Sequence, residues 1–335
     1  MYNYNFFQSN LWKTINKEIY KKPIFEIEIW NKTFRWIEKT QKKWPFRLSW
    51  YQILGIKLED LWENEEKIQN NLEKIKKDFK NKWGDIFFQF GFIDIIWIFN
   101  SKHFKDKKIL KILSEERKNQ NKKLATFWLK PSFRENMPKA TVIIDLNQSD
   151  DQFYKNLSSN ARNHYNKAIR KGLYFQIAEK KDWEDFYNLW QQTSAEKWFN
   201  IIPKKQFDEL KNFLLETNSW NLFLAKKDNQ IVSGSICLFD RNFIIYLYGA
   251  TNRQFGNIGA HQFLKIEMFK RGKKNWFLRV DLLGSPSFIE KNSPLYGVGR
   301  FKWSLGGKQI EFLGSYDLIF NQNLYQIFKL KKQLW

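Results

Sequence analysis

The sequence predicts an α/β (α+β) protein of two domains, in which mixed sheets are flanked by helices. Its 335 residues are enough for two cores of ordinary size. Hydrophobic residues make up 43% of the chain and aromatic residues 18%, which argues against a disordered protein. Strand-like and helical stretches alternate up to about residue 150, and the pattern then begins again, so we expect the domain boundary there.

The first half supplies the elements of one mixed sheet with helices packed on it. Short runs rich in Ile, Phe and Trp indicate strands, whereas longer charged runs with periodic apolar residues indicate helices. The predicted strands are 24–30, 33–40, 85–93 and 140–146, and the predicted helices are 58–82 and 104–122.

The second half is predicted in greater detail. A helix over 151–171 stops at Gly172, a residue typical of helix C-termini. Three strands at 221–227, 230–240 and 243–250 are joined by Asp-Asn and Arg-Asn turns and are therefore predicted to be antiparallel. A polar loop, a helix over 260–272, a strand over 276–284 and a final loop and helix complete the domain.

The charge of the chain has two explanations at this stage. A formal net charge of +22 is typical of proteins that bind nucleic acid, anionic membrane surfaces or phosphorylated substrates. The same excess also arises when biased codon usage places Lys on solvated faces. Both explanations stay open.

The sequence predicts no metal site, no disulfide and no membrane-spanning segment. The single cysteine, Cys237, lies in an apolar strand-like run and is predicted to be a buried hydrophobe. The three histidines lack ligand spacing, so no metal site is predicted. The N-terminus does not read as a signal peptide, and the most apolar run, at 85–99, is too short and too charged to cross a bilayer. We expect a cytoplasmic protein, with peripheral contact with the membrane as an open alternative.

Several motifs in the second half, taken in order, resemble the Fem aminoacyltransferases. The stretch from "IIYLYGA" (244–250) through "RVDLLG" (279–284) to "GVGRFKWSLGG" (297–307) is similar to the family's tyrosine-containing strand, its Asp-x-Gly strand end and its Phe-Lys pair. Upstream, "ATVIIDL" and "SSNARNHYNKAIRKG" are similar to a family strand and helix, and "FFQSNLWKTINK" to the family's opening Gln-x-x-x-Trp segment.

This resemblance implies a fold and a function. The fold would be two tandem acetyltransferase-like (GNAT) domains, the first over 1–150 joined by 316–335 and the second, with the catalytic motifs, over 151–315. The activity would be transfer of an amino acid from aminoacyl-tRNA to the stem peptide of a peptidoglycan precursor, UDP-linked or lipid-linked, in cell wall biogenesis. No cofactor is implied, because aminoacyl-tRNA is the co-substrate.

The catalytic residues implied by the resemblance are Lys302, Phe301 and Asp281. The attacking amine must lose its proton, because an amine with a pKa of about 10.4 is mostly protonated at neutral pH. Asp281 is a candidate to hold that amine, and helix capping is its alternative role. Lys302 can stabilise the oxyanion or contact the tRNA terminus, and we expect the surrounding glycines to bring the backbone and the Phe301 carbonyl close to the ligand. A core Phe301 and a solvated Lys302 are the alternative.

Substrate binding is assigned by the same resemblance, with two departures. The expected residues are Tyr248, Tyr246, Trp12, Lys17 and Lys204. Asn16 stands at the spacing where the family has a phosphate-binding lysine, with Lys17 one residue later. Ile202 stands before Pro203 where some members have an arginine. These departures leave the choice between a soluble and a lipid-linked precursor open.

A basic helix is the expected tRNA-binding element. It carries Arg162, Lys167, Arg170 and Lys171, which suit an acceptor stem or an anionic pyrophosphate-lipid surface. A solvated helix face is the alternative.

Two other functions stay open. An acetyl-CoA acyltransferase would need a glycine-rich pyrophosphate loop, but "RQFGNIGA" has Ile258 where the second glycine would fall. A non-catalytic RNA- or membrane-binding relative is the second alternative.

Overall fold

The structure, a computed structural model, describes residues 8–19, 24–29, 32–43, 46–58, 65–79, 85–197, 201–217 and 220–333. They divide between two compact units. The first unit takes its residues from Met1–Trp97, Lys107–Ala140 and Glu311–Trp335, and the second from Ile98–Asp106 and Thr141–Ile310. Compared with the predicted limits at 150 and 315, the second unit also includes residues 98–106 and 141–150.

Strands and helices both occur throughout the described residues. The strands are β1 (Ile24–Ile29), β2 (Lys32–Lys43), β3 (Phe46–Ile56), β4 (Asp85–Asn100), β5 (Leu129–Pro131), β6 (Ala140–Asp145), β7 (Tyr174–Ile177), β8 (Trp220–Lys227), β9 (Gln230–Asp240), β10 (Phe243–Thr251), β11 (Arg279–Asp281) and β12 (Lys308–Ile319). The helices are α1 (Asn10–Thr14), α2 (Glu65–Phe79), α3 (Lys107–Ala125), α4 (Asp150–Asn156), α5 (Ser159–Arg170), α6 (Asp182–Lys197), α7 (Lys204–Thr217), α8 (Ala260–Lys274), α9 (Tyr296–Ser304) and α10 (Gln322–Gln333).

The first unit contains a mixed sheet in the strand order β1-β2-β3-β4-β12, with β5 paired to β12. β1, β2 and β3 form antiparallel pairs, whereas β3 and β4 run parallel. Strand β3 was not predicted, because its sequence mixes Arg, Ser, Tyr and Gln with its apolar residues. The predicted mixed sheet is confirmed.

The first half of strand β4, residues 85–92, is buried on both faces, which explains its consecutive apolar residues. Phe88, Phe90 and Phe92 belong to one hydrophobic core, and Phe87 belongs to a second core that includes Phe328 of α10. A strand enclosed in this way needs apolar side chains at consecutive positions rather than at alternate ones. Among the described residues, no helix combines the length and the apolarity needed to cross a bilayer.

The second unit has the strand order β6-β11-β10-β9-β8-β7. The β8-β9-β10 meander is antiparallel, as predicted. In the first of its turns, Asp228 and Asn229 have φ values of 50° and 61°, the left-handed pair that a two-residue hairpin requires. β10 and β11 run parallel, joined by the crossover helix α8. This parallel pair places the ends of both strands at one edge of the sheet.

Two predictions for the second unit are corrected in detail. The helix expected over 151–171 is two helices, because Leu157 is extended and buried and the Ser158 hydroxyl accepts a hydrogen bond from the Ala161 N–H at 3.1 Å, which starts α5. The strand expected over 276–284 shortens to Arg279–Asp281, because Trp276 and Leu283 have positive φ values. Helices α6 and α7 were not predicted.

Candidate functional site

The candidate site forms where the chain leaves β11. Leu283 and Gly284 follow the strand with φ values of 46° and 25°, which makes a tight turn. α9 places Lys302 against this turn, and its side chain is buried, with 5% of the residue exposed. The Lys302 ammonium group donates hydrogen bonds to the Leu283 carbonyl and, at 2.7 Å, to the Gly284 carbonyl. Lys302 is therefore not the solvated surface charge of the alternative explanation.

Asp281 shapes the turn that receives Lys302. Its carboxylate Oδ1 accepts hydrogen bonds from the Thr141 hydroxyl and, at 2.8 Å, from the Leu283 N–H, and the residue is 2% exposed. The bond to Leu283 holds this residue in its left-handed conformation. This is a positioning contact, and the predicted contact between Asp281 and a substrate amine stays a prediction.

The surroundings of Lys302 change its acid–base behaviour. Burial lowers the pKa of Lys302 to about 7, although the nearby Asp281 carboxylate acts in the opposite direction. A lysine with this pKa exchanges protons near neutral pH, which an exposed lysine does not.

A second buried lysine, Lys265 of α8, lies beside the first. It is 0% exposed, its ammonium group donates to the Ser235 hydroxyl at 2.6 Å, and it lies 3.1 Å from the ring centroid of Tyr246. Lys302 lies 5.8 Å from the same centroid. Burial, together with a smaller effect of the Lys302 charge, lowers the pKa of Lys265 to about 7. Sequence reasoning missed Lys265, although a lysine inside the apolar run "FLKIEMF" was a signal for it.

Tyr246 and Tyr248 differ in their surroundings because of a β-bulge. The register of β10 against β9 shifts between these two residues. Burial raises the pKa of Tyr246, whose hydroxyl packs where a Cβ on Gly249 would lie. Tyr248 instead packs on Trp190 of α6, with ring centroids 4.6 Å apart. The structure thus brings Tyr246 to the lysine pair, and Tyr248 to an aromatic contact with α6.

Phe301 lies between the core and the edge of the site. Its ring is half-buried, 4.2 Å from the His261 ring, and its carbonyl accepts a hydrogen bond from the Ser304 hydroxyl at 2.6 Å. His261 in turn lies 3.3 Å from the Thr251 hydroxyl. The Phe301 carbonyl, expected to contact the amine, has a partner within its own helix.

The glycines around the Phe-Lys pair mostly serve packing. A Cβ on Gly299 would lie 2.7 Å from Pro286, and one on Gly307 would lie 2.6 Å from the Ile143 carbonyl oxygen. Gly306 has a φ of 79° and packs against the Asn156 carbonyl. Only at Gly297, among these glycines, would a Cβ meet open space. The explanation by close approach to a ligand is therefore wrong for positions 299, 306 and 307, where the chain itself fills the space.

The remaining substrate-binding candidates have the following surroundings. Trp12 and Lys17 belong to the first unit, where Lys17 is exposed and the buried Asn16 donates to the Trp12 carbonyl at 2.9 Å. Lys204 begins α7 and forms salt bridges of 2.8 Å with Glu184 and 2.9 Å with Asp208. Their substrate contacts stay predictions.

The candidate tRNA-binding residues of α5 fall into two pairs. Arg162 donates to the Leu157 carbonyl at 2.5 Å, and Lys167 donates to the Asn257 carbonyl at 2.5 Å, so both bind the protein's own backbone. Arg170 and Lys171 are exposed at the end of the helix. Arg170 and Lys171 are therefore better placed than Arg162 and Lys167 to contact an external phosphate.

Helix α5 packs against the loop between β10 and α8. Gly259, at the N-terminus of α8, has a φ of 81°, and a Cβ there would clash with the His164 carbonyl of α5. Lys167 holds Asn257 in the same loop. The backbone that would have to cradle a pyrophosphate thus packs against a helix of the same unit.

Two further findings concern other chemistry. Cys237 is buried, as predicted, with its sulfur 3.1 Å from that of Met268, and burial raises the pKa of its thiol to about 12. In the part of the chain that the structure describes, no group of three or more His, Cys, Asp or Glu side chains could hold a metal ion.

Mixed sheets flanked by helices, with a parallel strand pair whose ends lie at the site, define an α/β protein. A model of the FemAB family matches residues 203–333, which include α8, α9 and the buried lysine pair. Among solved structures, FemX superimposes with a TM-score of 0.66 at 16% identity, covering 98% of this chain and 95% of that one. L-PGS from Bacillus licheniformis superimposes with a TM-score of 0.50 at 10% identity, covering 96% of both chains. These two likenesses show a shared fold.

Two curated proteins are also similar to part of the chain. A lipid II:glycine glycyltransferase of Staphylococcus epidermidis is 27% identical over 170 residues, which cover 50% of this chain and 39% of the relative. One from Staphylococcus aureus is 28% identical over 149 residues, covering 43% and 35%. The match therefore spans about two fifths of the length of these relatives. The chain is thus similar to the FemAB family over residues 203–333, and to lipid II:glycine glycyltransferases over up to half of its length.

Proposed function

We propose that the protein transfers an amino acid from aminoacyl-tRNA to the stem peptide of a lipid-linked peptidoglycan precursor. The observation that carries this proposal is the Lys302 ammonium group, buried at the end of β11 and held by the Leu283 and Gly284 carbonyls. The match to the FemAB family model over residues 203–333 supports acyl transfer. The relatives' names, lipid II:glycine glycyltransferase, support glycine and a lipid-linked acceptor as the first substrates to test.

The reaction converts an ester into an amide. The neutral amine of the stem peptide attacks the ester carbonyl carbon, a C–N bond forms, and the carbonyl electron pair moves to oxygen. When this tetrahedral intermediate collapses, the bond between carbon and the ribose oxygen breaks. The nitrogen loses one proton and the ribose oxygen gains one, so the tRNA leaves with a free hydroxyl group.

Lys302 suits both difficult steps of this reaction. An ammonium group fixed in a low-dielectric site stabilises an oxyanion far better than one in water. A positioned donor of this kind lowers the barrier by about 3 to 4 kcal/mol. Because its pKa is about 7, it can also give its proton to the departing ribose oxygen and regain one from the amine. Asp281 positions the turn that binds Lys302, and Tyr248 is the proposed contact for the peptide or the aminoacyl group.

The acetyl-CoA alternative is less well supported. A CoA pyrophosphate binds backbone N–H groups at a helix N-terminus, in a loop that has room for it. Here the His164 carbonyl packs on Gly259 and Lys167 binds the Asn257 carbonyl, so the equivalent loop is engaged by α5. We therefore favour an aminoacyl donor, with exposed Arg170 and Lys171 as its proposed phosphate contacts.

Reconstitution of the reaction tests the proposal. The full chain is incubated with glycyl-tRNA and lipid II, and the mass of the precursor is followed; we expect a gain of one or more glycine residues. Pools of other aminoacyl-tRNAs, a UDP-linked precursor and acetyl-CoA are tested in parallel. A gain from acetyl-CoA, or none from any aminoacyl-tRNA, would overturn the proposal.

The tRNA contacts are tested with matched variants. Reversing both Arg170 and Lys171 to Glu is expected to weaken tRNA binding and its dependence on salt. Reversal of Lys122 and Lys123, which end α3 and are also exposed, changes the net charge equally and is the control. Equal effects of the two variants on tRNA binding would show that Arg170 and Lys171 do not form a specific tRNA contact.

A further inference from the structure

α8 ends in a turn of unusual composition. Trp276 donates its N–H to the Lys273 carbonyl at 3.1 Å, and Phe277 donates to the Gly272 carbonyl at 3.1 Å. These two bonds form a Schellman motif, whose left-handed position is usually glycine. Here that position is Trp276, with a φ of 64°.

The indole of Trp276 has no structural task that would explain this choice. It is 88% exposed, more than any other large hydrophobic side chain described. A non-glycine residue in the left-handed conformation is disfavoured, and an exposed indole loses the free energy of burial. Trp276 thus combines an unfavourable backbone conformation with an exposed indole, which indicates that a partner covers the indole.

A basic cavity lies beside Trp276. It has a volume of about 860 Å³, and its lining includes Lys270, Arg271, Lys273 and Lys274 as well as Trp276 and Leu278. Two of the cations are paired within the unit, Lys270 with Glu267 at 3.0 Å and Lys273 with Asp150 at 2.5 Å. Arg271 and Lys274 are exposed, so the surface presents positive charge beside apolar groups.

This surface is separate from the candidate site. His261, in the first turn of α8, contacts Phe301, whereas the cavity lies at the last turn of the same helix. A helix of 15 residues is about 20 Å long. The cavity therefore lies at the opposite end of this helix from the contact with Phe301.

We propose that Trp276, Leu278 and the basic cavity form a docking surface for a bilayer that contains anionic phospholipid. Tryptophan partitions into the interfacial region of bilayers, and lysine and arginine beside it attract anionic headgroups. Leu278, 42% exposed, adds aliphatic area that can enter a bilayer, whereas RNA binding would use only the aromatic rings and the cations of this surface. A lipid surface therefore fits this combination better than RNA does. The proposal does not depend on the identity of the transferred group or of the acceptor.

Vesicle sedimentation with the full chain tests the proposal. We expect binding to vesicles of phosphatidylcholine mixed with phosphatidylglycerol, weak binding to phosphatidylcholine alone, and loss of binding as salt is raised. Trp276→Ala is expected to lower the partition coefficient about tenfold. Reversal of Arg271 and Lys274 to Glu is expected to abolish the preference for anionic vesicles.

Matched variants separate docking from general effects. Trp128 is also an exposed tryptophan with positive φ after a basic helix end, but the Lys76 ammonium lies 5.4 Å from its ring centroid and it is not part of the cavity. Trp128→Ala and the double reversal of Lys122 and Lys123 should leave vesicle binding unchanged. Trp276→Gly is the decisive variant, because glycine suits the left-handed position: it should raise the thermal midpoint and still lose vesicle binding.

Three results would overturn the proposal. The first is equal binding of wild-type protein and Trp276→Gly to anionic vesicles. The second is an equal loss in the Trp128→Ala or Lys122 and Lys123 controls. The third is a loss of tRNA binding, with unchanged vesicle binding, in the Trp276 and Arg271/Lys274 variants, which would assign the surface to RNA.

Discussion

At the residue scale, the burial of Lys302 decides what its ammonium group can do. Water would screen an exposed lysine, whereas Lys302 is 5% exposed and has two carbonyl partners that fix its direction. Its position costs desolvation free energy, which the Asp281 charge and the carbonyl bonds offset in part. A cation kept at this cost is expected to act on the reaction rather than on stability.

Replacing Lys302 by Met tests this expectation. Loss of one oxyanion donor costs about 10²–10³-fold in kcat, so Lys302→Met should lower kcat by this factor. Because a methionine needs no desolvation, the variant should be at least as stable as the wild-type protein. The measurements are single-turnover rates of aminoacyl transfer and thermal unfolding. An active variant would contradict the role of Lys302, whereas an inactive and unfolded one would contradict the prediction for stability.

The two neighbours of Lys302 should move its pKa in opposite directions. Removing the Asp281 charge with Asp281→Asn leaves acceptor oxygen for Thr141 and Leu283 but lowers the pKa of Lys302. Removing the Lys265 charge with Lys265→Met raises it, because the repulsion between the two lysines is mutual.

The pH dependence of kcat/KM reports these shifts. The slope of log kcat/KM against pH should decrease at the pKa of Lys302, about 7 in the wild-type protein, because above it the charged form becomes scarce. The break should occur at lower pH in Asp281→Asn and at higher pH in Lys265→Met. Shifts in the same direction would show that the variants act on structure rather than on the charge of Lys302.

At the scale of elements, two glycines of one motif should have opposite effects on stability. Gly306 has a φ of 79° and lies against the Asn156 carbonyl, so Gly306→Ala should destabilise the protein by about 2 kcal/mol or more. Gly297 lies in α9 with open space beyond its Cα, so Gly297→Ala should stabilise it by about 0.5–1 kcal/mol. Denaturant unfolding measures both. Destabilisation by Gly297→Ala would mean that its helix has a conformation that alanine cannot adopt.

The sequence predicts elements well where one local signal dominates. The β8-β9-β10 meander followed from alternation and turn residues, and α8 from its apolar residues. The break at Leu157 could not be read in the same way, because Ser158 caps a helix only when the chain has already bent there. Strand β3 was missed because it contains polar residues that the sequence alone does not place in a core. Its Gln52 donates a hydrogen bond to Gln89 of the neighbouring strand β4, and this bond is buried.

The sequence predicted several residues of the site and their order along the chain, but it did not predict the contacts between them. The resemblance gave Lys302 and Asp281, but their contact through the turn at 283–284 depends on two positive φ values that no motif specifies. Lys265 was missed because apolar residues surround it in the sequence, and only the packing of α8 on β9 shows its partner, Ser235. Long-range contacts of this kind carry no local signal.

At the scale of the whole molecule, buried ionisable groups in the two units should make stability depend on pH in two separate ranges. In the second unit, Lys265 and Lys302 have pKa values lowered to about 7 by burial. In the first unit, burial raises the pKa of Asp317 to about 6, while its oxygens accept hydrogen bonds from Gln89 at 3.2 Å and Tyr325 at 2.7 Å.

The signs of the two contributions follow from proton binding. Between the normal carboxyl pKa and about 6, the folded state binds the proton of Asp317 more tightly than the unfolded state, so its contribution to stability decreases as pH rises. Above about 7, the unfolded state retains lysine protons that the folded state has lost, so the contribution of the two lysines increases with pH. Each group changes the free energy of unfolding by about 1.4 kcal/mol per pH unit within its range.

Two variants separate these contributions. Asp317→Asn keeps an acceptor for Tyr325 and should remove the decrease below pH 6 while leaving the alkaline range unchanged. Lys302→Met should reduce the slope above pH 7 by about 1.4 kcal/mol per pH unit and leave the acidic range unchanged. The measurement is the difference in unfolding free energy between variant and wild type, from denaturant titrations at a series of pH values. A flat difference for Lys302→Met would mean that this lysine stays charged in the folded protein throughout the range, and its proposed exchange of protons at neutral pH would then be wrong, leaving only the fixed positive charge to act on the oxyanion.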